Sequence, residues 1–181
     1  MSTIINGSSP SVTFSDGTTQ TSGYQSGSQF GASQMPTGSV IQVVTSILSP
    51  SVSGTNTTYS DALTATITPQ FSTSKILIIC NVNGIAGGTA TTAGVVDLAI
   101  RDNSSNVIQT FVGNGFNPNN NAPYLYGAAS INLLHSPSTT SAYTYRLSIK
   151  SNTNNAQGWE LSDNGYAGQI SATTLTLLEI R

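Results

Sequence analysis

The sequence predicts an all-β protein, an antiparallel β-sandwich or jelly roll of about eight strands preceded by an extended N-terminal arm. Three observations lead there. Only 7% of the 181 residues are charged, against roughly 25% in an ordinary soluble domain, so Ser, Thr, Asn and Gly fill the surface role of Lys and Glu. Helix formers such as Glu, Lys and Arg are scarce while β-branched Thr, Val and Ile abound, which tilts local propensity towards strand. Runs of alternating apolar and polar residues follow one another with turn residues between them, and no helical interval is long enough for a parallel crossover. At 18.7 kDa the chain fits a single hydrophobic core.

Residues 1–39 read as an arm and residues 40–181 as the sandwich. In the arm, Val12 and Phe14 alternate with polar residues before an Asp16-Gly17 turn, the pattern of one short strand or hairpin arm. The stretch 23–38 is rich in Gly, Ser and Gln and carries only Tyr24, Phe30 and Met35 as sparse apolar anchors. It buries too little apolar area to offset its ordering entropy. It is therefore either a flexible linker or a segment ordered by neighbouring subunits, with Phe14, Tyr24, Phe30 and Met35 as the arm's anchors.

The strand pattern becomes regular at Val40, which opens a first run to Ile47, followed by a loop through Asn56. Leu63, Ala65 and Ile67 alternate with Thr64 and Thr66 and lead through Pro69 into Lys75–Val82, the densest apolar run in the chain. That run has the profile of a core strand buried on both faces. Lys75 at its edge is a charge that discourages strand-on-strand aggregation. The Gly/Ala/Thr-rich stretch 84–94 reads as a long loop.

Val96, Leu98 and Ile100 alternate with Asp97, Ala99 and Arg101, and a turn over 102–106 leads to Val107–Val112, together a hairpin. Residues 113–123, with two prolines and five asparagines, form the most loop-like segment and the best candidate for an exposed tip. Strand character returns over Tyr124–Leu134. Tyr143, Tyr145, Leu147 and Ile149 then face one way while Thr144, Arg146, Ser148 and Lys150 face the other, the cleanest period-2 pattern in the chain. A second Asn-rich loop, Trp159-Glu160-Leu161, a turn at 163–165 and a closing strand over Ile170–Ile180 complete the series.

Composition also narrows the chemistry. A net charge of −2 with five scattered cations gives no footprint for a phosphate backbone, so nucleic acid is not an expected partner. No apolar run approaches the ~20 residues of a membrane-spanning helix, and the first residues lack the cationic start and apolar segment of a signal peptide. No membrane insertion is expected, and synthesis in a cytoplasm without secretion by that route is. The one cysteine, Cys80, reads as a small buried hydrophobe.

His135 is the one histidine, and no spacing joins it to a nucleophile and an orienting carboxylate; it ends a strand where a surface imidazole is ordinary. Asp16, Asp102 and Asp163 each fall in a turn, where Asp caps its own backbone. One His and one Cys cannot make a structural zinc site. No catalytic residue, metal ligand or cofactor is expected. The remaining candidate is aromatic: Tyr124 and Tyr126 beside the first Asn-rich loop and Trp159 after the second offer ring faces for a sugar, with core or subunit-interface packing as the alternative reading.

Two segments carry a resemblance. Ser11-Val-Thr-Phe-Ser-Asp-Gly-Thr-Thr-Gln-Thr-Ser resembles an arm found in structural proteins of tailed bacteriophages, especially those of marine bacteria and cyanobacteria. The stretches 38–44, 65–78 and 172–180 are similar to the domain that often follows it. The resemblance implies a virion surface protein, a fibre, tail appendage or capsid decoration, assembled as a homotrimer and joined to other virion proteins of capsid, neck or tail. The length, with no repetitive shaft, fits a short spike, decoration knob or small terminal fibre. A glycan-recognising tip that contacts the host surface is the alternative within that family.

Overall fold

The structure, a computed structural model, describes residues 4–6, 11–20, 31–48, 50–89, 92–93, 96–113, 127–151, 158–162 and 172–181. They divide into two compact units, Met1–Gln34 and Met35–Arg181.

The first unit is a small antiparallel sheet of β1 (Ile4–Asn6), β2 (Ser11–Thr13) and β3 (Thr19–Gln20), in that order. Its β2–β3 turn is fixed by chemistry legible in the sequence. Asp16 Oδ1 accepts the Thr18 amide at 2.9 Å and the Thr18 hydroxyl at 2.7 Å. Gly17 takes φ 83°, which a side chain would resist. The Thr18 hydroxyl and amide bonds hold the Asp16 carboxyl below its ordinary value. A single 3-10 turn, Ala32–Gln34, closes this unit.

The second unit holds β4 (Val40–Leu48), β5 (Val52–Gly54), β6 (Ser60–Ile67), β7 (Lys75–Thr89), β8 (Thr92–Ala93), β9 (Val96–Arg101) and β10 (Val107–Gly113). It continues with β11 (Gly127–His135), β12 (Tyr143–Ser151), β13 (Trp159–Leu161) and β14 (Thr173–Ile180). Four strands form one antiparallel sheet in the order β10-β9-β12-β6. The other sheet follows β4-β14-β7-β13-β5, with β11 and β8 also paired to β7. The two sheets pack face to face as a β-sandwich.

The alternation of each strand decides what it buries. Tyr145, Leu147 and Ile149 on β12, Leu98 and Ile100 on β9, Ile78 and Cys80 on β7, and Leu175 and Leu177 on β14 are all fully buried in one cluster. Burying each Leu or Ile side chain contributes about 1.5–3 kcal/mol, so this shared layer is what holds the sheets together. One charged group enters it. Glu179 is fully buried, and its carboxylate accepts the Gln70 amide at 2.7 Å and the Phe71 amide at 3.4 Å, which ties the β6–β7 connection to β14.

Three local readings of the sequence need correction. Lys75–Val82 is not buried on both faces: Ile76, Ile78, Cys80 and Val82 point inward, whereas Leu77 and Ile79 are half-buried and Asn81 is exposed on the outer face. The stretch expected to loop from 84 instead prolongs β7 to Thr89. It does so through an irregularity, since Val82 pairs with Ala129 and Ile85 with Gly127, and Gly84 absorbs the extra residue at φ 61°. Val52–Gly54, inside an expected loop, is a strand because Gly54 lets Trp159 of β13 lie against it; a Cβ there would stand 2.6 Å from Trp159 Cζ2.

Candidate interaction surfaces

Three of the four basic side chains that the described strands carry gather on the outer face of the four-stranded sheet. β12 points Arg146, Ser148 and Lys150 outward, and pairing sets Arg146 beside Arg101 and Lys150 beside Asp97. A register shift opposite Leu147 and Ser148 skips Ala62 and brings Asp61 of β6 to Ser148. The Asp61 carboxylate consequently receives Arg101 at 3.2 Å, Arg146 at 2.9 Å and the Ser148 hydroxyl at 2.7 Å. Lys150 reaches Asp97 at 3.3 Å and stands 4.9 Å from the centre of the Tyr59 ring, with Arg101 at 5.9 Å from it. Burial raises the Tyr59 hydroxyl above its ordinary value, with Lys150 opposing that shift.

Arg101 Nε also donates to the Ser105 carbonyl at 2.9 Å, whereas Arg146 Nε is buried without a hydrogen-bond partner among the described residues. The arrangement around Asp61 fixes the register of β6, β12 and β9.

A second cluster lies where β11 meets β12. His135 Nδ1 is 2.9 Å from the Tyr145 hydroxyl, and its ring contacts Tyr145 edge-on at 5.6 Å and Tyr143 at 5.9 Å. The imidazole expected at the surface is thus half-buried among aromatic rings. Burial lowers its pKa, an effect that Asp102 partly opposes, and burial drives the Tyr145 hydroxyl well above the ordinary phenol range. The His135–Tyr145 bond joins the end of β11 to β12 through side chains.

Asp102 closes the β9–β10 turn as the sequence indicates. Its Oδ1 accepts the amides of Ser104 at 2.8 Å and Asn106 at 2.7 Å, and Ser105 adopts φ 65°. Burial works to raise the Asp102 carboxyl, but the bonds from Asn106 and Ser104 outweigh it and hold the carboxyl low. Cys80 is buried and its thiol is pushed up to about 12, so it stays protonated. Among the described residues no three His, Cys, Asp or Glu side chains come together as a metal site.

The outer face of the larger sheet is different in kind. Pairing aligns Leu134 of β11, Leu77 of β7, Leu178 of β14 and Val43 of β4 in one row across four strands. Leu134 is 52% exposed and Val43 58%. The next row, Asn132, Ile79, Thr176 and Thr45, is largely polar, with the two threonine hydroxyls 3.1 Å apart.

Of the side chains singled out from sequence, Tyr124, Tyr126, Tyr24 and Phe30 lie outside the described residues. Trp159 is only 6% exposed and packs in the core cluster, so it presents no ring face to solvent. Phe14 is 46% exposed, and Met35 is half-buried with its carbonyl accepting the Arg181 guanidinium. The Asp61 network and the apolar row escaped the sequence reading, because both depend on which strands pair. Their one visible trace was the outward set Arg146, Ser148 and Lys150.

Fold and surfaces together define an all-β sandwich whose distinctive features, among the described residues, are the outer faces of its two sheets. No protein-family model and no curated protein matches the chain. Among solved structures, the chain is similar to the enzymatically active domain of tailspike protein 4 of bacteriophage CBA120, at a TM-score of 0.20 and 8% identity, over 76% of this chain. That overlap spans 19% of the tailspike chain, and so slight a likeness carries no activity across.

Proposed function

We propose that the chain is a non-enzymatic structural component of a tailed-phage particle, a short fibre, spike or capsid decoration, acting as a homotrimer and attached by its N-terminal arm. The observation that carries this reading is the arm: the Ser11–Ser22 sequence that resembles phage structural proteins holds a turn of its own at Asp16–Thr18, in a unit distinct from the sandwich. The Asp61 and His135 clusters support it too, since the Asp61 carboxylate and the His135–Tyr145 bond join neighbouring strands. A glycan-binding tip is the weaker alternative, because Trp159 is inside the core.

The test follows from the division into units. Phage carrying the gene for residues 35–181 alone is compared with phage carrying the full chain, using an antibody to the sandwich. The full chain is expected on purified particles under the electron microscope, and the truncated chain in the soluble fraction, folded. Equal labelling of both particles overturns the role of the arm, and absence of the full chain from particles overturns the virion reading.

A further inference from the structure

We infer that the outer face of the larger sheet, over β11, β7, β14 and β4, is where copies of this chain meet. Leu134, Leu77, Leu178 and Val43 form a continuous apolar row there; Val40, 45% exposed and paired with Ile180, extends it on β4, while Ile47 at 61% exposure stands beyond the Thr45 row opposite Thr174. Scattered exposed hydrophobics are ordinary on a soluble protein, but contiguous ones mark a contact. Four strands about 4.8 Å apart and eight residues long project to about 500 Å². That is the whole face, apolar and polar rows together, and it is of the same order as the ~800 Å² per partner of a stable contact.

Charge and geometry select the occupant. Among the described residues, the outward rows on this face carry no charge except Lys75 at one end, where the long stem can keep its ammonium in water. A partner bringing charges here would leave them desolvated and unpaired. The partner surface must be as uncharged as this one, which the opposite outer face, with Arg101, Arg146, Lys150, Asp61 and Asp97, is not.

The rows supply the second argument. They run across the strands, apolar then polar, so any rotation axis parallel to the strands keeps each row at its height. A copy related by such an axis sets Leu and Val against Leu and Val, and Thr, Asn and Ile79 against their like. A second copy of the chain is therefore the complementary surface. Two-fold and three-fold axes both satisfy this, and the three copies of the proposed function are one case; the inference stands apart from attachment to a particle.

The measurement is the solution mass of the full chain by light scattering on a sizing column. Wild type is expected at a multiple of 18.7 kDa. The Val43→Lys/Leu134→Lys chain, altered at two exposed sites, is expected at the mass of one chain with an unchanged circular dichroism spectrum. Thr45→Lys/Asn132→Lys, at sites already polar and exposed, gives the same result should the first pair misfold. Val107→Lys, on an edge strand of the other sheet, keeps the wild-type mass. A monomeric wild type at 100 µM, or folded face variants that retain the wild-type mass, overturns the inference.

Discussion

His135 shows how burial converts an ordinary residue into a reporter of pH. It is the single histidine, enclosed by Tyr143 and Tyr145 with Asp102 nearby, and burial holds its pKa below the ordinary 6.5. The unfolded chain therefore takes up a proton first as pH falls through about 6.5, while the folded imidazole is still neutral. Over that window the unfolded state binds more protons, so stability falls with falling pH and levels off below the folded pKa. The wild-type melting temperature is expected to drop between pH 7.5 and pH 5.5, and that of His135→Gln to change less. Parallel profiles for the two proteins would show that the imidazole is not displaced from its ordinary titration.

At the scale of elements, the strands that the sequence made plain are those whose residues alternate in character. Tyr143–Ser151 and Thr173–Ile180 alternate visibly, and the structure buries the expected halves. Lys75–Val82 misled because both of its faces are apolar, so alternation could not tell the inner set of Ile76 and Ile78 from the outer set of Leu77 and Ile79. β5 and the far end of β7 were illegible for another reason: Gly, Ala and Ser carry little pattern, and these strands exist because a partner strand claims their backbone. Gly54 is the sharpest instance, since its lack of a side chain admits the Trp159 ring. Asn56 Oδ1 would also stand 2.8 Å from a Cβ at this position, so a methyl meets a side chain besides the Trp159 ring. Gly54→Ala is expected to cost about 1–3 kcal/mol through overpacking, read as a lower melting temperature with a disturbed Trp159 fluorescence spectrum. An unchanged melting temperature would mean that β5 shifts freely on β13.

At the scale of the whole molecule, the sequence separated arm from sandwich by composition, but composition could not place the residues that bind back. Met35–Ser39 look like more of the Gly/Ser-rich arm, yet their backbone is held by the end of β14. The Gly38 amide donates to the Arg181 carbonyl at 2.8 Å, the Arg181 amide to Ser39 at 3.0 Å, and its guanidinium to the Met35 carbonyl. The same guanidinium lies 5.4 Å from the Phe71 ring, so it is fixed from two sides. Such long-range pairing leaves no local mark, just as the meeting of Asp61 with Arg101 and Arg146 left none. Two truncations separate composition from structure. The 35–181 chain retains all three bonds and is expected to melt with the sandwich of the full chain. The 40–181 chain loses them, and at roughly 1 kcal/mol per bond it is expected to be about 1–3 kcal/mol less stable, several degrees in melting temperature for a unit of this size. Equal stability of the two fragments would show that Arg181 is not secured by this segment, and an unfolded 35–181 chain would show that the sandwich depends on the arm.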